Sequence, residues 1–336
     1  MKRRLLIGAI LILVALAGAL GSLAYSYQVF TRTALVPVDG EPRTFHVEPG
    51  SSFQGVARAL ARQGFIERAL LYRLMARLQG KAQRIKAGEY AIEPGMSPQA
   101  FLDRMVSGDV VQYSLTLVEG WNFHEMMVAV RAHEALEHTL ESVSAEAVMA
   151  AIGEPDQHPE GRFYPDTYHF PRGTTDVAFL ERAYQRMSAR LAEIWAERDE
   201  GLPLESAYEA LILASIIEKE TAVPEERRRI AGVFARRLER GMRLQTDPTV
   251  IYGIGPDFDG NITRSDLRTD TPYNTYTRGG LPPTPIAMPG GASIEAAVHP
   301  AEGDALYFVS KGDGSHHFSA TLREHNQAVR RFQLNR

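Results

Sequence analysis

The chain is expected to be α+β, with an apolar N-terminal helix, a small α+β module and a larger α+β body. Three observations predict this. One long uncharged stretch stands at the N-terminus, and from Thr44 onward short strand-like runs alternate with amphipathic helical periods. The 336 residues are 44% apolar and 23% charged, the balance of an ordinary globular protein. The boundaries fall at 1–31 for the apolar segment, 42–110 for the module and 111–336 for the body. There is no cysteine, which excludes a thiol nucleophile, a disulfide framework and thiolate-held metals. The formal net charge is −4, and more acidic still without Lys2, Arg3 and Arg4 at the N-terminus. No nucleic-acid partner is expected, because binding phosphates calls for many neutralising cations.

The first element runs uncharged from Leu5 to Phe30 and is almost wholly apolar from Leu5 to Ala24. About 20 such residues cross a hydrocarbon core. A cleaved secretory signal opens with the same positive charges, but its apolar region is only about 7–15 residues long. The expectation is therefore an uncleaved signal-anchor. Three cations before the span and Arg32 after it place the N-terminus in the cytoplasm. No later stretch is comparably apolar, so the rest of a single-pass protein is expected on the far side of the membrane.

In the module, Phe45-His46-Val47 leads through Pro49-Gly50 into a helix with Phe53, Val56, Ala57 and Leu60 on one side. A second helix covers about Glu67 to Gln79. Tyr90-Ala91-Ile92 then leads through Pro94-Gly95 into Phe101, Leu102 and Met105. Each unit reads as strand, glycine turn, polar cap and amphipathic helix. Strand–helix–helix–strand in this span is the outline of a LysM-like, carbohydrate-binding module. The body opens with a third such unit, Leu115 to Val118, Glu119-Gly120, then Phe123 to Val130. Helices follow from Thr174 or Thr175 through Trp195, from Leu204 to Glu220, and from Pro224 to Arg240. The last carries six arginines, read as a solvated basic face. Residues 241–291 are loop-rich, and loops of that length in a compact domain are usually functional. A strand at Leu306–Val309 and a helix from Thr321 to Phe332 close the chain.

The sharpest candidate for chemistry is Glu218. It directly follows the apolar run Leu211 to Ile217 and shares a helical face with Leu211, Ala214 and Ser215. A carboxyl there loses hydration, and desolvation favours its neutral form. Such an acid suits protonation of a glycosidic oxygen. The same residue could instead pair with an arginine of the next helix. Glu220 points about 200° further round and reads as a surface or hydrogen-bonding group. Gln245 and Asp247, then Asn274 and Tyr276, suit a sugar groove, where amides and carboxylates read hydroxyls and rings face C–H patches. No metal is expected: His316 and His317 are adjacent, so on a strand they face opposite sides. No Gly-x-Ser-x-Gly elbow, phosphate-binding loop or dinucleotide fingerprint is present, and no cofactor is expected.

At these residues the sequence resembles the endolytic murein transglycosylases of the YceG-like family. The strings that carry the resemblance are Glu160-Gly-Arg-Phe-Tyr-Pro-Asp-Thr-Tyr168, Ala214-Ser-Ile-Ile-Glu218-Lys-Glu-Thr221, Leu244-Gln-Thr-Asp-Pro-Thr-Val250, Tyr273-Asn-Thr-Tyr276, Gly280-Leu-Pro-Pro283, Tyr307-Phe-Val309 and His317-Phe-Ser319. They are collinear and span nearly the whole body. Thr246 stands where the family usually has Ser, and Thr284 where Gly is usual. The resemblance implies cleavage of the MurNAc–GlcNAc β-1,4 bond within peptidoglycan strands, without water, leaving 1,6-anhydro-MurNAc ends. It places the catalytic glutamate on Glu218 and adds Glu160, Glu220 and His317 to the candidate substrate contacts. It also implies an inner-membrane enzyme with its body in the periplasm, working beside peptidoglycan synthases and ending strand growth. Two alternatives stand beside it: a non-catalytic wall-binding scaffold, and a water-using muramidase with Glu220 or Asp247 as second carboxylate.

Overall fold

The structure, a computed structural model, describes residues 2–334. It is mixed α+β, opens with one long apolar helix, and divides into two compact units. Among the described residues the first comprises 2–113 with 170–172, and the second 114–169 with 173–334.

The first unit begins with α1 (Lys2–Arg32), in which residues 6–32 are long and apolar enough to cross a membrane. Strand β1 (Arg43–Val47) follows, then α2 (Phe53–Arg62), α3 (Ala69–Leu78), β2 (Gly88–Ile92) and α4 (Pro98–Ser107). β1 and β2 pair antiparallel with Phe45 opposite Tyr90. Alternation puts Phe45 and Val47 inside and leaves Thr44 and His46 outside. Ser52 and Ser97 accept the amides of Gly55 and Ala100, which fixes where α2 and α4 start. Phe45, Phe65, Tyr90 and Phe101 meet edge to face in the core, and Phe30 from the end of α1 joins them through Tyr72.

The chain enters the second unit within β3 (Gln112–Thr116) and continues through α5 (Phe123–Ala132), β4 (Leu136–Glu137), α6 (Ala145–Ala151), β5 (Thr167–Pro171), β6 (Thr174–Thr175) and α7 (Asp176–Ala196). Asp176 is fully buried; its burial would push the carboxyl up, but bonds from Thr139, Leu140 and Val177 outweigh that and hold it below its ordinary range. The core helix α8 (Ala207–Glu220) is capped by Ser206 and buried from Ala210 to Ile217. It packs with α9 (Pro224–Glu239), α10 (Asp247–Ile254) and α11 (Gly291–Val298). β7 (Tyr307–Ser310) and β8 (His316–Ser319) form an antiparallel hairpin, and α12 (Leu322–Val329) closes the unit.

Three expectations need correction. The region read as loop-rich holds one short helix, α10, opened by Asp247-Pro248 as that dipeptide favours, and α11 starts only at the region's end, capped by Gly290. The cap at Ser206 delays α8 by three residues against the expected start at Leu204. The α9 arginines do not all form a solvated face. Arg237 is buried, donating to the carbonyl oxygens of Leu306 and Leu244 at 2.7 Å, while Arg236 and Arg228 hold the carbonyls of Ala305 and His299. A guanidinium's five fixed donors satisfy buried loop carbonyls that no backbone amide reaches.

Candidate active site

Glu218 ends the buried face of α8. One turn earlier on that face, Ser215 accepts the amide of Ile286 at 3.0 Å and donates to Ile212. This pins the loop before α11 against α8. Glu218 then meets the start of α11: its Oε2 accepts the Gly290 amide at 3.0 Å and the Ser293 hydroxyl at 2.7 Å. The carboxyl is half-buried and reachable, while Ser293 is fully buried and so fixed in place. No arginine forms an ion pair with Glu218 among the described residues, so the alternative of a structural pair with the next helix gains no support.

Glu119, read from sequence only as part of a turn, stands at the same place. A methyl group on Gly290 would meet its carboxyl group, so the Glu119 carboxyl lies beside the start of α11. Glu119 is exposed as a residue, yet partial burial of its carboxyl end, and then the charge of Glu218, push it above its ordinary range; Arg227 pulls the other way. The sequence signal was a glutamate at the strand-to-helix turn, but nothing in its spacing pointed toward Glu218.

Two residues on, Glu220 faces elsewhere. It lines a cleft of about 500 Å³ with Arg237, Gln245, Asp247, Tyr276, His316 and His325. Its carboxyl end is withdrawn from solvent and accepts the Thr246 hydroxyl. Burial pushes Glu220 above its ordinary range against that bond, the Asp247 charge adds to the rise, and His316 and Arg237 oppose it. Tyr276 donates to Asp247 at 2.6 Å, and its hydroxyl is pushed up by burial and by that carboxylate. Gln245 has φ of 50°, the one positive value at a non-glycine among the described residues. Such strain is held only where surroundings over-determine it. Thr275 supplies that: its carbonyl accepts the Gln245 amide and its hydroxyl the Thr246 amide.

The remaining candidates lie apart from this cleft. Asn274 is buried, and its amide is engaged by the carbonyls of Asp266 and Thr269 and by the Tyr276 amide, which shapes the loop carrying Tyr276. Glu160 is buried at the start of α5, accepting the Phe123 amide and the Tyr252 hydroxyl. Burial outweighs those bonds and pushes it to about 7. His317 is exposed against Phe332, while its neighbour His316 faces Glu226 at 2.7 Å, the two-sided placement expected of adjacent strand residues. Thr284 keeps a negative φ and bonds Tyr273, so the loop does not need the glycine usual there.

Fold and site together define an α+β protein whose larger unit carries a half-buried carboxyl at a helix end and, on another side of that helix, a polar cleft. Such groups are fitted to acid–base chemistry on a polar substrate. The chain belongs to the YceG-like family, whose model matches residues 45–331. A relative from Bacillus subtilis named endolytic murein transglycosylase is 30% identical, the match covering 90% of this chain and 89% of the relative. One of the same name from Streptococcus pneumoniae is 26% identical over 95% of this chain, which spans 63% of its length. The crystal structure of a YceG-like protein from Listeria monocytogenes is similar at a TM-score of 0.53 and 30% identity, covering 86% of this chain and 99% of that one.

Proposed function

We propose that this chain is an endolytic lytic transglycosylase of peptidoglycan, with Glu218 as its catalytic acid and base. The observation that carries the reading is the Glu218 carboxyl, held on Oε2 by the Gly290 amide and a buried Ser293 and free of any ion pair among the described residues. The likeness over 90% of this chain to a relative named for this activity supports it. Glu218 protonates the oxygen of the MurNAc–GlcNAc bond, and the C1–O bond breaks. Its carboxylate then takes the proton of the C6 hydroxyl, which closes on C1 to give the 1,6-anhydro end. One carboxyl serves as acid and then base, so no second carboxylate is required to activate water.

The cleft with Glu220, Gln245, Asp247 and Tyr276 fits a further stretch of glycan, read through its hydroxyls. The strand–helix–helix–strand order of the first unit agrees with a LysM-like module. The apolar helix α1 serves as a single-pass inner-membrane anchor, with the N-terminus cytoplasmic and both units periplasmic. From there the enzyme acts on new strands beside the synthases and ends their growth.

The test is mass spectrometry of products from purified glycan strands digested by the full chain in detergent, with Glu218→Gln alongside. Anhydro-ended fragments from the wild type and none from the variant are expected. Water-added ends would make the protein a muramidase, and glycan binding without products would make it a scaffold.

A further inference from the structure

Helix α3 buries Leu71, Tyr72, Met75 and Ala76 and leaves its opposite face uncovered. On that face Leu70, Leu74 and Leu78 fall four residues apart and form one row, with Arg73 and Arg77 in the next. Leu70 and Leu78 are each 70% exposed, and Leu74 is half-buried. The helix has no acid, and between residues 62 and 86 seven cations stand against Glu67 alone. Lys81 pairs with Asp103, and Lys86 donates to the Ser107 carbonyl at 2.9 Å. Arg68, Arg73 and Arg77 form no ion pair among the described residues. Unlike Arg228, Arg236 and Arg237 of α9, they hold no loop carbonyl either.

Both ends of α3 are fastened beside the C-terminal half of α1. Its first turn, from Arg68 to Leu71, shares a shallow groove with Ala19, Ser22, Leu23 and Ser26. Its far end is held on α4, where Gln99 donates to Gln79 at 3.0 Å, and the adjacent Pro98 lines a cavity with Val29, Phe30 and Leu35. Phe30 in turn packs on Tyr72 of α3. The row of leucines and arginines is thus continuous with the segment that leaves the apolar span. A helix lying in the headgroup layer of a bilayer presents this combination, because leucines enter the acyl boundary while guanidinium groups stay with the phosphates.

We propose that α3 is a membrane-surface helix that docks the first unit on the anionic phospholipid bilayer spanned by α1. The proposal rests on α1 being the anchor. Charge selects this occupant over a second copy of the chain. A two-fold pairing of this face with itself would set the arginines against one another, whereas lipid phosphates neutralise them. Leu70, Leu74 and Leu78 enter the acyl boundary, and Arg68, Arg73 and Arg77 meet the headgroups. Docking sets the height of the first unit above the bilayer.

The test is quenching of a fluorescent label at Leu78→Cys in the full chain, reconstituted into vesicles of phosphatidylglycerol with phosphatidylcholine, or of phosphatidylcholine alone. In the anionic vesicles a quencher attached high on the acyl chain should reach the label. Replacing Arg73 or Arg77 by Gln should lower the ratio of docked to undocked unit roughly fivefold for each arginine. Without any variant, about 1 M salt should bring the anionic vesicles to the phosphatidylcholine result, since charges are then screened within about 3 Å. A label reached only by water-soluble quenchers, or quenched equally in both lipids, would overturn the proposal. A label shielded from both kinds of quencher would show a protein on this face and overturn it as well. A second label at Leu11→Cys, inside the span, should be lipid-quenched in every vesicle. If it is not, the anchor reading falls first and the proposal with it.

Discussion

Single side chains in the second unit separate roles that their spacing left together. Glu218 and Glu220 stand two apart, yet one meets Gly290 and Ser293 and the other Thr246. Because Ser293 is buried and donates to Glu218, Ser293→Ala should lower kcat roughly tenfold with little change in KM, the size of one hydrogen bond to a charged group. Steady-state kinetics on defined glycan strands checks this. Glu160 bears on stability instead. Its folded-state value of about 7 lies above its ordinary 4.5, so the folded state binds the proton more tightly. That contribution is fully present below the ordinary value and is lost as pH rises through 7. It is worth roughly 3 kcal/mol. Urea unfolding at pH 5 and pH 8 should show this fall in the wild type, and Glu160→Gln should flatten it.

Among the helices, α8 joins apolar burial to the proposed acid, since the face that buries Leu211 and Ala214 goes on to carry Ser215 and Glu218. The expected face was legible because helical spacing alone fixes it. Its partner was not, because α11 begins at glycines more than 70 residues away. In the first unit, α3 starts beside the outer part of α1: Arg68 to Leu71 share a shallow groove with Ala19, Ser22, Leu23 and Ser26. If residues 5–24 span the bilayer, Leu70, which is 70% exposed, lies at the depth of the span's outer turn. The chain has no cysteine, so a single Leu70→Cys carries a specific fluorescent label. In vesicles that label should be quenched by lipid-attached quenchers, and a label seen only by water-soluble quenchers would contradict this placement.

Across the whole chain, the boundary drawn at residue 31 cuts into a core. Phe30 is 8% exposed and packs edge-on to Tyr72, with Leu35 and Val36 also buried in the first unit. A fragment starting at 32 should therefore be less stable than one starting at 26 by roughly 3 kcal/mol, the cost of emptying an aromatic site. Denaturant unfolding of the two fragments measures it. The end of α1 thus belongs to the core of the first unit.

Local pattern was enough for what local energetics control: the apolar N-terminal helix, the capped amphipathic helices, the mixed α+β class, and the buried helical face that Glu218 ends. Hydropathy, caps and helical period act over a few residues, so one reading of the chain reveals them. Contacts between distant segments were out of reach. Sequence could not show that Glu119 and Glu218 meet at Gly290, that Glu220, Gln245, Asp247 and Tyr276 line one cleft while Glu160 and Asn274 are engaged elsewhere, or that Arg237 is buried under loop carbonyls. Those pairings arise when the 286–293 segment is drawn onto α8, where buried amides and carbonyls must find partners wherever the chain supplies them.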